Sequence, residues 1–236
     1  MRGLALTGAL LVAGALAGGC GGNGSEGGEP SLAVYVSTPL SGPRAADGLA
    51  VADGARQALK EAGGAAAGIA VEVVVLDSGP GASAARPTAE GADPVRAAAN
   101  ARTATQDSTA IAYVGELDSA TTGTSLPITN DARMLQVSPT AGDVELTAPF
   151  EGSDEVPEET QPSGARTFGT LAALDGDPRE LGAEAMALVL DSVERAGNPL
   201  DRASVVEAFL TTGERDSDDL GAYTVDEIGA ANPLSP

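Results

Sequence analysis

The sequence predicts one doubly wound α/β domain: a single, mostly parallel sheet with helices on both faces. Three observations carry this. Short apolar, partly β-branched runs alternate with stretches of helical spacing along the chain. The first strand, helix and second strand fit within about 45 residues, which implies a right-handed crossover between parallel strands. Turn-forming Gly, Pro, Asp and Ser clusters separate the elements. At 236 residues the length allows one or two domains.

In chain order, Met1-Arg2 and the apolar run Gly3 to Ala17 form a secretory leader, too short to span a membrane. Small residues then lead into Cys20, the only cysteine. Residues 21 to 30, GGNGSEGGEP, are a flexible Gly-rich tether. Ser31 to Ser37 is the first strand and Thr38 to Pro43 a turn-rich loop. A helix from about Ala45 carries Ala52, Ala55, Leu59 and Ala62 at helical spacing and ends at Gly63-Gly64. Ile69 to Leu76 is the second strand. Residues 78 to 92 are poor in apolar side chains and read as a surface loop.

Asp93-Pro94 opens the next helix, with Asp as N-cap and Pro at the first helical position. Ile111 to Val114 is a short buried strand. Asp118 or Ser119 caps a helix that runs to about Ala132. Met134 to Val137 is a strand, and Ser138 to Gly142 the loop after it. Residues 148 to 165 are acidic and contain prolines, and read as an exposed, mobile loop. Arg166 to Leu171 is a further strand, and Asp175 to Pro178 a turn and helix start. Leu181 to Ala196 is an amphipathic helix stopped by Gly197-Asn-Pro199. Asp201 caps a last helix ending at Gly213, and Ala222 to Val225 is a short strand before a polar tail at 231 to 236.

Open α/β sheets bind ligands beyond the carboxyl ends of their strands. Two loops there carry hydroxyls that would face one crevice: Ser119 and Thr140. Both residue types also serve as helix caps and turn formers, so the structural reading stands beside the binding one.

Composition narrows the chemistry. With three Phe, three Tyr and no Trp, core volume must come from Ala, Val and Leu. The absence of His and the single Cys exclude Ser-His, Cys-His and His-metal arrangements. No Gly-rich phosphate loop is present, so no cofactor is expected. A net charge of −21, more acidic still once Arg2 leaves with the leader, argues against nucleic acid and anionic lipid. Asp216, Asp218 and Glu227 have the spacing of a calcium loop, but Leu220 stands where an oxygen ligand is needed, so no metal site is assigned.

Specific residues also resemble a known family. Val36 to Pro43 with Gly48 and Gly54-Ala55 is similar to the first strand and helix of the branched-chain amino-acid-binding proteins of ABC importers. These are type I periplasmic binding proteins, two lobes closing on a ligand. Ala62-Gly63-Gly64, Asp77, Asp93-Pro94, Val114-Gly115 with Ser119, Pro127-Ile128, Ser138 to Ala141 and Glu145-Leu-Thr147 continue the resemblance in order. So do Glu184 to Leu188, Arg195-Ala-Gly197 and Leu220 to Gly229. The small-residue run into Cys20 resembles a bacterial lipobox, with Leu16 one place further upstream than usual. That implies an acylated Cys20 and an extracytoplasmic protein anchored to the cell membrane.

The resemblance implies a solute-binding protein with an ABC permease as partner and a small polar ligand such as an amino acid. It places Ser119, Thr140 and Gly142 at the ligand carboxylate, Asp47 where an aromatic side chain often packs on the ligand, and Asp118, Ala120 and Ser41 on the same loops. In the family a second lobe is inserted before the last helices, and the ligand ammonium is held from there. Here only residues 148 to 180 occupy that place, too few for another βαβ unit. The expected organisation is therefore a leader (1 to 19), Cys20 and tether (20 to 30), one lobe (31 to 230) and a tail (231 to 236). A homodimer could supply the second wall. The alternative is an extracytoplasmic interaction or sensor domain that has lost ligand binding.

Overall fold

The computed structural model describes residues 29–80 and 91–234. The leader, Cys20, the tether up to residue 28, most of the loop expected at 78 to 92 and the last two residues lie outside the described part. Within it, β1 (Ser31–Thr38), α1 (Ala45–Glu61), β2 (Ala65–Ala66), β3 (Ile69–Asp77), α2 (Pro94–Gln106), β4 (Ala110–Val114), α3 (Ser119–Asp131), β5 (Leu135–Ser138) and β6 (Phe168–Thr170) follow one another. After them come α4 (Pro178–Arg195), α5 (Arg202–Leu210), β7 (Gly213–Ser217), β8 (Gly221–Val225) and β9 (Ala231–Pro233).

Strands β2-β3-β1-β4-β5-β6 form one sheet, parallel except for the two-residue edge strand β2. The expected doubly wound sheet is therefore present. β1 explains why it is buried on both sides. Leu32, Val34 and Val36 enter the core built with α1, α4 and α5. Ala33 and Tyr35 enter a second core with Ala101 and Ala104 of α2, Tyr113 and Met134. The direction of winding changes at β1, so the switch point lies between the loops after β1 and β4.

Scarce aromatics are compensated by close helix approach. α1 packs on α4 through glycines: a Cβ on Gly54 would lie 2.0 Å from the Arg179 carbonyl oxygen, and one on Gly182 2.4 Å from that of Val51. Local caps set the helix starts. Asp93 accepts from the Val95 and Arg96 amides, Asp177 and Glu180 close a reciprocal capping box, and Asp201 accepts from the Ser204 amide. Arg202 ties the layers together by donating to the carbonyls of Ala110, Thr105 and Asp107.

Two features differ from the sequence expectation. Strands β7-β8-β9 form a separate antiparallel sheet, and Ala231–Pro233, read as tail, is its third strand. This sheet docks on α4 through Glu184, which accepts from the Tyr223 hydroxyl at 2.5 Å and from Arg215 at 3.1 Å. The acidic segment, read as exposed, is anchored by buried Thr160 and Gln161, which donate to the Glu145 and Leu146 carbonyls. Among the described residues no helix is long and apolar enough to cross a membrane, and no group of His, Cys, Asp and Glu is placed to hold a metal ion. The acidic spacing from Asp216 to Glu227 runs through the β7–β8 hairpin rather than round a loop.

Candidate solute site

The site is built at the carboxyl end of β4, where the chain turns through Gly115-Glu116-Leu117-Asp118 into α3. Gly115 has φ +136°, and a Cβ there would lie 2.3 Å from the Ser37 carbonyl oxygen. Only glycine lets this turn lie against β1. β5 and the loop after it then clamp the turn. Gln136, Ser138 and Thr140, spaced two residues apart, donate in order to the carbonyls of Gly115 at 2.9 Å, Glu116 at 2.6 Å and Leu117 at 2.6 Å. Arg44, from the loop after β1, donates to the same Leu117 carbonyl at 3.0 Å and so bridges the switch point.

Beneath this turn sits a carboxyl group with no contact to solvent. Glu116 is fully buried and accepts from the Tyr113 hydroxyl at 2.6 Å. Burial pushes its pKa up to about 7 against the opposing pull of the Tyr113, Ser78 and Ser37 hydroxyls, and the Asp118 charge adds to the rise. Burial likewise raises Tyr113, with the Glu116 charge adding to it. Gln136 is buried too, bonded to Ser125 and Thr129 of α3.

The loop after β1 is organised by Asp77. Its carboxylate accepts from the Leu40 and Gly79 amides, from the Ser41 hydroxyl at 3.0 Å and from Arg96 at 2.7 Å. Burial raises its pKa, but these hydrogen bonds outweigh that and hold the carboxyl below its usual range.

The sequence-predicted residues divide accordingly. Asp118, not Ser119, caps α3 by accepting from the Thr121 amide at 2.8 Å. Ser119 is the first residue of α3, and its oxygen accepts from the Asp143 amide at 3.1 Å. Thr140, expected to face the crevice, instead turns its hydroxyl onto the Leu117 carbonyl. Gly142 is exposed, and a Cβ there would lie 2.7 Å from that of Ala172. Ala120 is exposed at the start of α3. Ser41 and Asp47 lie on the far side of the switch point, Ser41 on Asp77 and Asp47 in an ion pair with Arg44 at 3.2 Å.

Of these residues, Ser119 lines a cleft. It opens between the start of α3 and the segment after β5, with a volume of about 470 Å³. Its walls are Ser119 and Gly123, then Asp143, Glu145, Leu146 and Pro149, then Pro157 to Thr160. Four of these residues are acidic. Sequence reasoning named the acidic segment but did not bring Glu158 and Glu159 beside Ser119. It also missed Glu116 and Gln136, whose signal was faint: one carboxylate in a short polar loop and one amide inside an otherwise apolar run.

No protein-family model matches the chain, and no curated relative matches its sequence. Solved structures do match. A leucine-binding protein, LivK, from Thermotoga maritima is 18% identical with a TM-score of 0.59, the match covering 85% of this chain and 93% of that one. A putative branched-chain amino acid ABC transporter protein from Rhodospirillum rubrum is 16% identical with a TM-score of 0.64, over 86% and 96% of the two chains. LivJ from Streptococcus pneumoniae, solved with isoleucine, is 13% identical with a TM-score of 0.60, over 85% and 93%. At these identities the likeness is one of architecture: the chain has the type I periplasmic-binding-protein fold seen in substrate-binding proteins of branched-chain amino acid ABC transporters.

Proposed function

We propose that this chain is an extracytoplasmic solute-binding protein of an ABC-type importer, reduced to one lobe and anchored through a lipidated Cys20. It binds a small polar solute without catalysis and hands it to a permease. The observation that carries this reading is the 470 Å³ cleft beside Ser119, at the carboxyl ends of β4 and β5. Its size suits a small ligand. The start of α3 favours a carboxylate through its dipole, next to the Asp118 cap that takes the Thr121 amide. Asp143, Glu145, Glu158 and Glu159 favour an ammonium. An amino acid carries both groups. In this reading the acidic segment supplies from within one lobe the negative charge that a second lobe otherwise brings.

A specific observation favours a second reading. The Thr140 hydroxyl donates to Leu117, and the Ser119 oxygen already accepts from Asp143. Under that reading the chain is an interaction or sensor domain without a solute. Thermal melts against a panel of amino acids at millimolar to tens of millimolar concentration separate the two. Even a millimolar dissociation constant corresponds to about −4 kcal/mol, so a solute reading requires a raised midpoint with at least one amino acid. That rise should vanish in Glu158→Gln/Glu159→Gln. No shift across the panel sinks the solute reading. Native mass measurement would test whether a second copy supplies the missing wall.

A further inference from the structure

We infer that Glu116 is a proton-linked positioning residue: its neutral form holds the 115–118 turn and the start of α3 in place, and its ionisation loosens them. Neither state of Glu116 requires a bound solute.

The geometry around the side chain carries it. Glu116 is fully buried where β1, β3 and β4 end. Oε1 accepts from Tyr113, while Oε2 has no partner in hydrogen-bonding geometry. The Ser78 hydroxyl, just past β3, pulls against that burial without reaching good hydrogen-bonding geometry, and Asp118 Oδ2 and Thr122 Oγ1 in the first turn of α3 are also buried without a partner. A carboxylate at Glu116 would place a buried charge there with one oxygen unsatisfied, beside the charge of Asp118. A neutral acid removes that charge and adds an O–H donor of its own to the pocket. Complete burial outweighs the Tyr113, Ser78 and Ser37 hydroxyls and disfavours the charged form.

β4 contributes the Tyr113 phenol, and β1 contributes Ser37, itself bonded to Asn100 of α2. Past β3 comes Ser78, and before it Asp77 is paired to Arg96 of α2 at 2.7 Å. The first turn of α3 contributes Asp118. The loop after β1 contributes Arg44, which donates to the Leu117 carbonyl and pairs with Asp47. The one charge here that acts on Glu116, that of Asp118, therefore opposes ionisation.

Coupling to the turn is direct. The Glu116 carbonyl accepts from Ser138, its neighbours' carbonyls from Gln136, Thr140 and Arg44, and Asp118 caps α3 two residues on. A charge seeking water at Glu116 must strain these clamps.

The sign follows from linkage. Burial raises the folded carboxyl from the ordinary value of 4.5 to about 7. Between those values the folded state holds the proton and the unfolded state does not, so stability falls as pH rises through that window and levels off above it. The limiting slope is about tenfold in the folded-to-unfolded ratio per pH unit. The test compares wild type with Glu116→Gln, whose amide keeps an acceptor for Tyr113 and a donor in place of the acid O–H. Melting midpoints from pH 5 to 8 should fall in wild type relative to the variant, and amide exchange at residues 116 to 122 should rise beyond its intrinsic pH dependence in wild type only. Parallel profiles in the two proteins would overturn the proposal. Should the variant fail to fold, the carbon-13 shift of the Glu116 carboxyl in wild type decides: a midpoint near neutrality supports it, and one between pH 4 and 5 overturns it.

Discussion

Arg44 and Thr140 donate to the same carbonyl oxygen, that of Leu117, at 3.0 Å and 2.6 Å. They come from opposite sides of the switch point. One residue of the β4–α3 turn thus joins the loop after β1 to the loop after β5. Leu117 is itself buried, so its carbonyl is costly to leave unpaired. Thr140→Val keeps the shape and removes the donor; it should cost about 1 kcal/mol. Arg44→Ala should cost a similar amount, and the double variant more than the sum, because the last donor is then gone. Urea denaturation of the four proteins measures this. Thr140→Ser should retain most of the stability. Additive losses would show that the shared acceptor does not couple the two loops.

Asp77 sets a second pH dependence, opposite in sign to that of Glu116. Its carboxyl is held below the usual value of 3.8, so its contribution is complete above that pH and is lost as pH falls through the folded value. Asp77→Asn should cost about 2 kcal/mol at pH 7, allowing for its partial exposure, because four donors then face a neutral group. The difference from wild type should shrink below about pH 4. Denaturation of both proteins from pH 3 to 7 would show it, and a constant difference across that range would contradict this role.

The α1–α4 contact depends on two glycines. A methyl at either Gly54 or Gly182 would fall inside contact distance of rigid backbone, at 2.0 Å and 2.4 Å. Gly54→Ala and Gly182→Ala should each destabilise the chain by about 1–3 kcal/mol, as overpacked cores do, despite alanine's better helix propensity. Melting midpoints should drop by several degrees. Gly63→Ala makes a control of the other kind: there a Cβ meets nothing within 4 Å, and only its φ of +78° opposes the change.

Much of the fold was legible because its signals are local. Asp93-Pro94, Asp177 with Glu180, and Asp201 cap the helices they precede, each through bonds within three residues. Gly63 and Gly64 take positive φ just past α1, as a helix stop requires. The apolar runs became strands within a residue or two of their expected bounds. The site was legible only in outline. That α3 begins at Asp118-Ser119 could be read from cap chemistry, and that it borders a crevice from the rule on strand ends. Which hydroxyl faces the cleft could not, since Thr140 bonds to a residue 23 positions away.

The sequence by itself therefore determined the order, type and rough limits of helices α1 to α5 and of the parallel strands, but not β2, β7 or β9. Periodicity, caps and turn residues act over a few positions, so they can be read without a partner. Only the tertiary structure decided the rest. It set the β7–β9 sheet apart, brought Glu158 and Glu159 to the cleft wall beside Ser119, and closed Glu116 among Tyr113, Ser37 and Ser78. A buried polar side chain is defined by whichever distant groups enclose it. No pattern of neighbours along the chain encodes those partners, and folding alone brings them together.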